Sequence, residues 1–147
     1  MQDFSLPATG NKVFKFSAAR GKKLVVYFYP KDDTPGCTVE GSDFRHLYAE
    51  FQQQHCEIVG VSRDSVASHE RFKAKLGLPF DLLSDEDAAV CNLFAVMKLK
   101  NMYGKEVQGI DRSTFLFDEA GNLVQEWRSV KSAGHAQIVL DTLKQEK

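Results

Sequence analysis

The sequence predicts an α/β fold, a mixed central β-sheet flanked by helices on both faces. Three observations carry this expectation. Strand-like apolar runs alternate with amphipathic stretches, the pattern of a parallel sheet with crossover helices. Leu24–Tyr29 (LVVYFY), ended by Pro30, is a continuous apolar and aromatic run of the kind buried on both faces. Late in the chain, two strand-like runs flank the turn Asp118-Glu-Ala-Gly121, which adds an antiparallel pair to the sheet. At 147 residues the length suits one domain, 1–147, with a sizeable core.

Each element follows from its residues. Phe4-Ser-Leu-Pro7 and Val13-Phe-Lys-Phe16 predict a small edge hairpin. After the Leu24–Tyr29 strand, Phe44, Leu47, Tyr48 and Phe51 fall at i, i+3, i+4 and i+7, so a helix begins near Cys37 and fades in Gln52–Gln54. Glu57–Ser62 (EIVGVS) is a second strand. Ser65 caps a helix carrying Val66, Phe72 and Leu76, which Gly77 closes with Pro79 just beyond. Phe80–Leu83 is a short strand, and Ser84 with Asp87 three residues on predicts a capped helix through Cys91. Ser113–Phe117 (STFLF) and Asn122–Trp127 (NLVQEW) form the late hairpin. Ala136, Val139, Leu140 and Leu143 predict a final helix.

Composition excludes several classes of function. Nineteen Lys and Arg against 20 acids leave a net charge of −1, with no basic face for nucleic acid. Lys98, Lys100 and Lys105 read as solvated surface. No apolar run approaches a membrane span, and the opening Met1-Gln-Asp-Phe-Ser-Leu-Pro lacks the basic start and apolar core of a signal peptide. The three cysteines, at 37, 56 and 91, form no Cys-x-x-Cys and no disulfide framework. With His46, His55, His69 and His135 they offer no zinc-ligand spacing, so no metal is expected. All four histidines read as surface or capping residues. A reducing cytoplasm is the expected compartment.

Cys37 stands out by its place. The stretch Pro30–Cys37 follows the carboxyl end of a strand, where open α/β folds bind ligands. A cysteine in the first turn of the next helix meets unpaired amides and the positive end of the dipole, and both favour thiolate over thiol. Thr34 can aim a hydroxyl at the same sulfur, Pro30 and Pro35 stiffen the loop, and Gly36 exposes backbone N–H groups. Together they describe a pocket of donors around an activated sulfur. The competing reading is a small core hydrophobe, which many free cysteines are.

Pro30-x-x-x-Thr34-x-x-Cys37 resembles the active-site signature of the peroxiredoxins, and YFYPKDDTPGCTVE is similar to the PrxQ or bacterioferritin-comigratory-protein branch. The likeness extends to Phe4-Ser-Leu-Pro7, Leu82-Leu-Ser-Asp-Glu86 and Gly109-Ile-Asp-Arg112-Ser-Thr-Phe115. The resemblance implies a thioredoxin-like fold and a thiol peroxidase with no metal, haem or other cofactor. It implies catalytic Cys37, Thr34 and Arg112, with Pro30 and Gly36 lining the peroxide pocket. Glu40 either braces that site or serves the helix dipole. The substrate would be hydrogen peroxide or an organic hydroperoxide, reduced through a Cys37 sulfenic acid. The electron donor would be thioredoxin, glutaredoxin or a small thiol, and the expected state is a monomer.

The chain departs from the family where a second, resolving cysteine is usual. Five residues after Cys37 stands Ser42, and Val66–Leu76 contains no cysteine. A one-cysteine cycle is the simplest consequence. Cys91 reads as packing rather than resolving, and Cys56 as an incidental thiol. Two other functions compete: a thiol–disulfide oxidoreductase, weakened by Thr34-x-x-Cys37 in place of a dithiol, and a non-enzymatic binding or holdase module.

Overall fold

The computed structural model describes residues 2–145. The apolar run becomes β3 (Lys23–Phe28), with every residue from Leu24 onward buried. Leu24, Val26 and Phe28 face one apolar cluster, while Val25, Tyr27 and Tyr29 face the other. Beside β3 runs β4 (Cys56–Ser62) in parallel, and β5 (Leu82–Ser84) lies parallel to β4. On the other flank β8 (Ser113–Phe117) is antiparallel to β3 and pairs with β9 (Leu123–Trp127). The N-terminal hairpin, β1 (Ser5–Ala8) and β2 (Lys12–Lys15), closes the far edge. The sheet order is β2-β1-β5-β4-β3-β8-β9. The mixed sheet expected from the sequence is therefore present.

Helix α1 (Pro35–Gln53) and α4 (His135–Gln145) cover one face through Phe44, Phe51, Val139, Leu140 and Leu143, joined by Phe72 of α2 (Val66–Leu76). The other face is covered by α3 (Ala89–Leu93), a 3-10 turn at Phe16–Ala19, and packed rings including Phe4, Phe16, Phe94 and Phe117. Helix α2 is capped as expected. The Ser65 hydroxyl accepts from the Ser68 N–H at 3.1 Å, and Gly77 ends the helix at a left-handed φ of 66°.

Two local expectations fail. Ser84 does not cap α3, because it still belongs to β5 and its hydroxyl donates to the Asp64 carbonyl. Asp85 does the capping instead: its carboxylate accepts from the N–H groups of Val90 at 3.1 Å and Cys91 at 2.7 Å. The second failure is an additional hairpin, β6 (Met97–Met102) and β7 (Lys105–Ile110), forming its own two-stranded sheet. Its turn, Tyr103-Gly104, has positive φ at both residues, the geometry that suits a right-twisted hairpin. Two of its lysines are not simply solvated. Lys98 pairs with Asp111 at 3.2 Å, and half-buried Lys100 donates to the Ile110 carbonyl at 2.5 Å.

Register decides what meets at the carboxyl end of β3. Phe28 lies opposite Ser113, so the chain leaving β3 toward Cys37 passes the chain entering β8 from Arg112. Residues 75 positions apart thus share one corner.

Candidate active site

Cys37 lies in the first turn of α1 and is 2% exposed. The Arg112 guanidinium reaches it from the start of β8, with Nη2 donating to Sγ at 3.4 Å. Nη1 of the same group donates to Glu40 Oε1 at 2.6 Å. Glu40 stands one helical turn after Cys37, so one planar cation spans two residues on one face of α1. The Arg112 carbonyl accepts from the Val130 N–H at 3.0 Å, which fixes the segment.

Gly36 makes room for this contact. A Cβ at that position would lie 3.1 Å from Arg112 Nη2 and 3.4 Å from Ser132 Oγ, tighter than side chains ordinarily pack. Pro30 is half-buried at the loop entry. Thr34 precedes α1 in extended conformation, but its hydroxyl donates to the Lys31 carbonyl at 2.8 Å instead of aiming at the sulfur. That bond closes the turn before the helix. Cys37, Gly36 and Arg112 therefore converge, while Thr34 borders the group with its proton directed away.

Burial and charge compete across the site. Burial pushes the Glu40 carboxyl up to about 7 against the pull of Arg112. Burial also works against the charge of Arg112, yet Glu40 and Cys37 outweigh it and hold the guanidinium above its ordinary range. Glu40 Oε2 and the Tyr27 hydroxyl are buried without a hydrogen-bond partner among the described residues. The sequence left Glu40 between bracing and a dipole role, and the geometry joins it to Arg112.

The other thiols sit elsewhere. Cys91 belongs to the apolar cluster on the opposite face of the sheet from Cys37. Cys56 shares the Cys37 face but pairs with Lys23, roughly 17 Å along β3 from Phe28 at about 3.3 Å per residue. All three cysteines are free and buried. Burial drives the Cys56 thiol up to about 12, and burial with the Asp85 carboxylate raises that of Cys91 further.

The histidines divide. His46 and His55 are exposed, as expected, whereas His69 and His135 are buried. His135 lies 2.8 Å from the Thr114 hydroxyl through Nε2, and burial, with Arg112 nearby, pushes it down to about 4. Asp32, Asp64 and His69 bring three donor atoms within 4.8 Å of one another, a grouping the spacing of histidines and cysteines did not suggest. Each atom is already engaged. Asp32 Oδ2 accepts from Ser68 and faces His69 Nδ1, and Asp64 Oδ2 accepts from the Asp32 N–H and the Ser62 hydroxyl.

A family model described as AhpC/TSA matches residues 1–126. The chain belongs to the AhpC/TSA family. Among its relatives, Peroxiredoxin Bcp of Xanthomonas campestris pv. campestris is 55% identical over 142 residues, spanning 97% of this chain and 89% of that one. Peroxiredoxin Bcp of Bacillus subtilis is 47% identical, with 97% and 90% covered. A solved structure of Xanthomonas campestris Peroxiredoxin Q superposes with a TM-score of 0.92 at 54% identity, covering 97% of this chain and 90% of that one. The AhpC/TSA chain described here is a peroxiredoxin of the Bcp or PrxQ branch, with the thioredoxin-like fold of its neighbours.

Proposed function

We propose that the chain reduces hydrogen peroxide and organic hydroperoxides through a Cys37 sulfenic acid, which an external thiol reduces in a one-cysteine cycle. The observation that carries this reading is the Arg112 guanidinium 3.4 Å from Cys37 Sγ, held at its other end by Glu40. Structural work on a Xanthomonas campestris relative concerns alkyl peroxide reduction, which supports the same substrate class.

The Cys37 thiolate attacks the terminal oxygen of ROOH. The S–O bond forms as the O–O bond breaks, sulfur is oxidised to the sulfenic acid, and the departing alkoxide takes a proton to leave as ROH. Charge moves from sulfur to the leaving oxygen, so fixed donors beside both atoms lower the barrier. Arg112 and the Gly36–Cys37 amides fill that role. Thr34, whose hydroxyl donates to the Lys31 carbonyl, keeps its oxygen available to accept the peroxide O–H. Pro30 shields the sulfur from bulk water.

Recovery takes two thiols. The first displaces water from the sulfenic acid to give a mixed disulfide, and the second attacks that disulfide to release reduced Cys37. A disulfide needs Cα atoms within about 7 Å, and neither Cys56 nor Cys91 stands at that corner. On this reading the donor is thioredoxin, glutaredoxin or a small thiol, acting on a monomer in a reducing cytoplasm. No described helix is long and apolar enough to cross a membrane.

Peroxide consumption supplied in turn with thioredoxin, glutaredoxin and glutathione tests this. Cys37→Ser should abolish consumption with every donor, while Cys56→Ser retains it. Equal consumption by wild type and Cys37→Ser would end the reading.

A further inference from the structure

The mechanism leaves one buried polar cluster unused, and it grips the loop that carries the site. Asp32 lies between Pro30 and Thr34 and is 6% exposed. Its Oδ1 accepts from the Tyr29 hydroxyl at 2.6 Å. Its Oδ2 accepts from the Ser68 hydroxyl at 2.8 Å and lies 2.7 Å from His69 Nδ1. Its backbone N–H donates to Asp64 Oδ2 at 2.9 Å. His69 is fully buried, and its Nε2 donates to the Leu83 carbonyl at 2.9 Å. The two ring nitrogens thus span the Asp32 carboxylate and the Leu83 carbonyl, joining the loop to β5 through one ring. Burial opposes the Asp32 charge, but His69, Tyr29 and Ser68 outweigh it and hold the carboxyl below its ordinary value.

This cluster ties the loop after β3 to α2 and to the end of β4. The remaining tie between loop and α2, Lys75 to Asp33 at 2.7 Å, is exposed and contributes little. A cleft of about 230 Å³, lined by Lys31, Asp33, Arg71 and Lys75, lies beside the same loop. Cys37 is only 2% exposed, so a thiol carried by a large donor cannot reach its sulfur until the loop or first turn moves aside.

We propose that Asp32 and His69 are positioning residues, a latch that holds the Pro30–Cys37 loop closed for the peroxide step and limits access of the reducing thiol. The proposal rests on Cys37 being the peroxide-reacting sulfur. It predicts opposite effects on the two half-reactions, which general loss of structure would not produce.

The test is performed on the full chain with Cys56 and Cys91 replaced by Ser. It measures the second-order rate with hydrogen peroxide, iodoacetamide alkylation of Cys37, and glutathione reduction of the preformed sulfenic acid. His69→Gln, which loses the donor to Asp32, should slow the peroxide step about tenfold, as loss of one charge-assisted hydrogen bond implies, and speed alkylation and thiol reduction. His69→Asn, which places a neutral N–H near the position of Nδ1, should recover part of both changes. Ser68→Ala removes one half-buried donor and should give the same split at smaller size, deciding the matter if His69→Gln does not fold. Lys75→Ala should leave all three rates unchanged. Rates that fall together, or no change in Ser68→Ala and folded His69→Gln, would overturn the latch. A parent protein with no peroxide reaction would instead overturn the role of Cys37.

Discussion

Cys37 and Cys91 are nearly the same residue in two settings. Each follows the carboxyl end of a strand, each is the third residue of a helix, and each is buried, at 2% and 0% exposure. They differ in what stands beside them. Cys37 faces the Arg112 guanidinium, while Cys91 lies against Asp85, whose carboxylate joins burial in favouring the thiol. They also lie on opposite faces of the sheet. Neither burial nor a helix start distinguishes them, although the five residues of α3 supply a weaker dipole than the 19 of α1. The sign of the neighbouring charge does.

The strongest way to break the contrast is to remove that charge. Arg112→Ala should slow the peroxide step by on the order of a hundredfold or more, the scale of losing one preorganised donor. An unchanged second-order rate would show that the guanidinium contributes nothing to the chemistry.

The buried carboxylate that anchors Arg112 offers a test by pH. Glu40 holds its proton to about 7 in the folded chain against an ordinary 4.5. Its contribution to stability is therefore fully present below pH 4.5 and lost as pH rises through 7. Wild type should lose on the order of 2 to 3 kcal/mol relative to Glu40→Gln across that window, read by urea unfolding at several pH values. His135 acts with the opposite sign. Its folded value of about 4 against 6.5 makes its contribution present above 6.5 and lost as pH falls through 4. Both proteins carry His135, so the difference between them isolates Glu40. Parallel stability curves would show that Glu40 does not titrate in this range.

The smallest effect sharpens the other side of the comparison. Asp85→Asn removes the charge beside Cys91, weakens the cap on Val90 and Cys91, and should cost about 1 to 2 kcal/mol. Thiolate absorbance should show Cys91 titrating lower than in wild type, with the peroxide rate unchanged. A Cys91 titration that does not move would mean that burial alone sets its state.

Much of this arrangement is legible in the sequence where local signals agree with the fold. The apolar run of β3, and Ser65 and Gly77 at the ends of α2, gave correct elements because burial and capping act within a few residues. The β6–β7 hairpin was missed because Lys98 and Lys100 fall on one of its faces and Glu106 and Gln108 on the other, leaving little apolar periodicity, and its Tyr-Gly turn is not a usual signal. Ser84 misled because it resembles a cap while still in β5, and Asp85, the true cap, reaches N–H groups five and six residues away. The meeting of Arg112 with Cys37 came from the family likeness, and its physical cause is the β3–β8 register, which spacing alone does not reveal. The buried state of His69 and the direction of the Thr34 hydroxyl depend on partners in other segments or on turn geometry, and no pattern in their neighbours announces either.

The most direct test of the account is the intact mass and peptide map of the reduced chain after one equivalent of hydrogen peroxide, with a sulfenic acid trap present. One oxygen, or the trap, on Cys37 alone, with Cys56 and Cys91 still as thiols, is the predicted result. Loss of two hydrogens through a Cys37–Cys91 disulfide, or oxidation at Cys91 in place of Cys37, would contradict it.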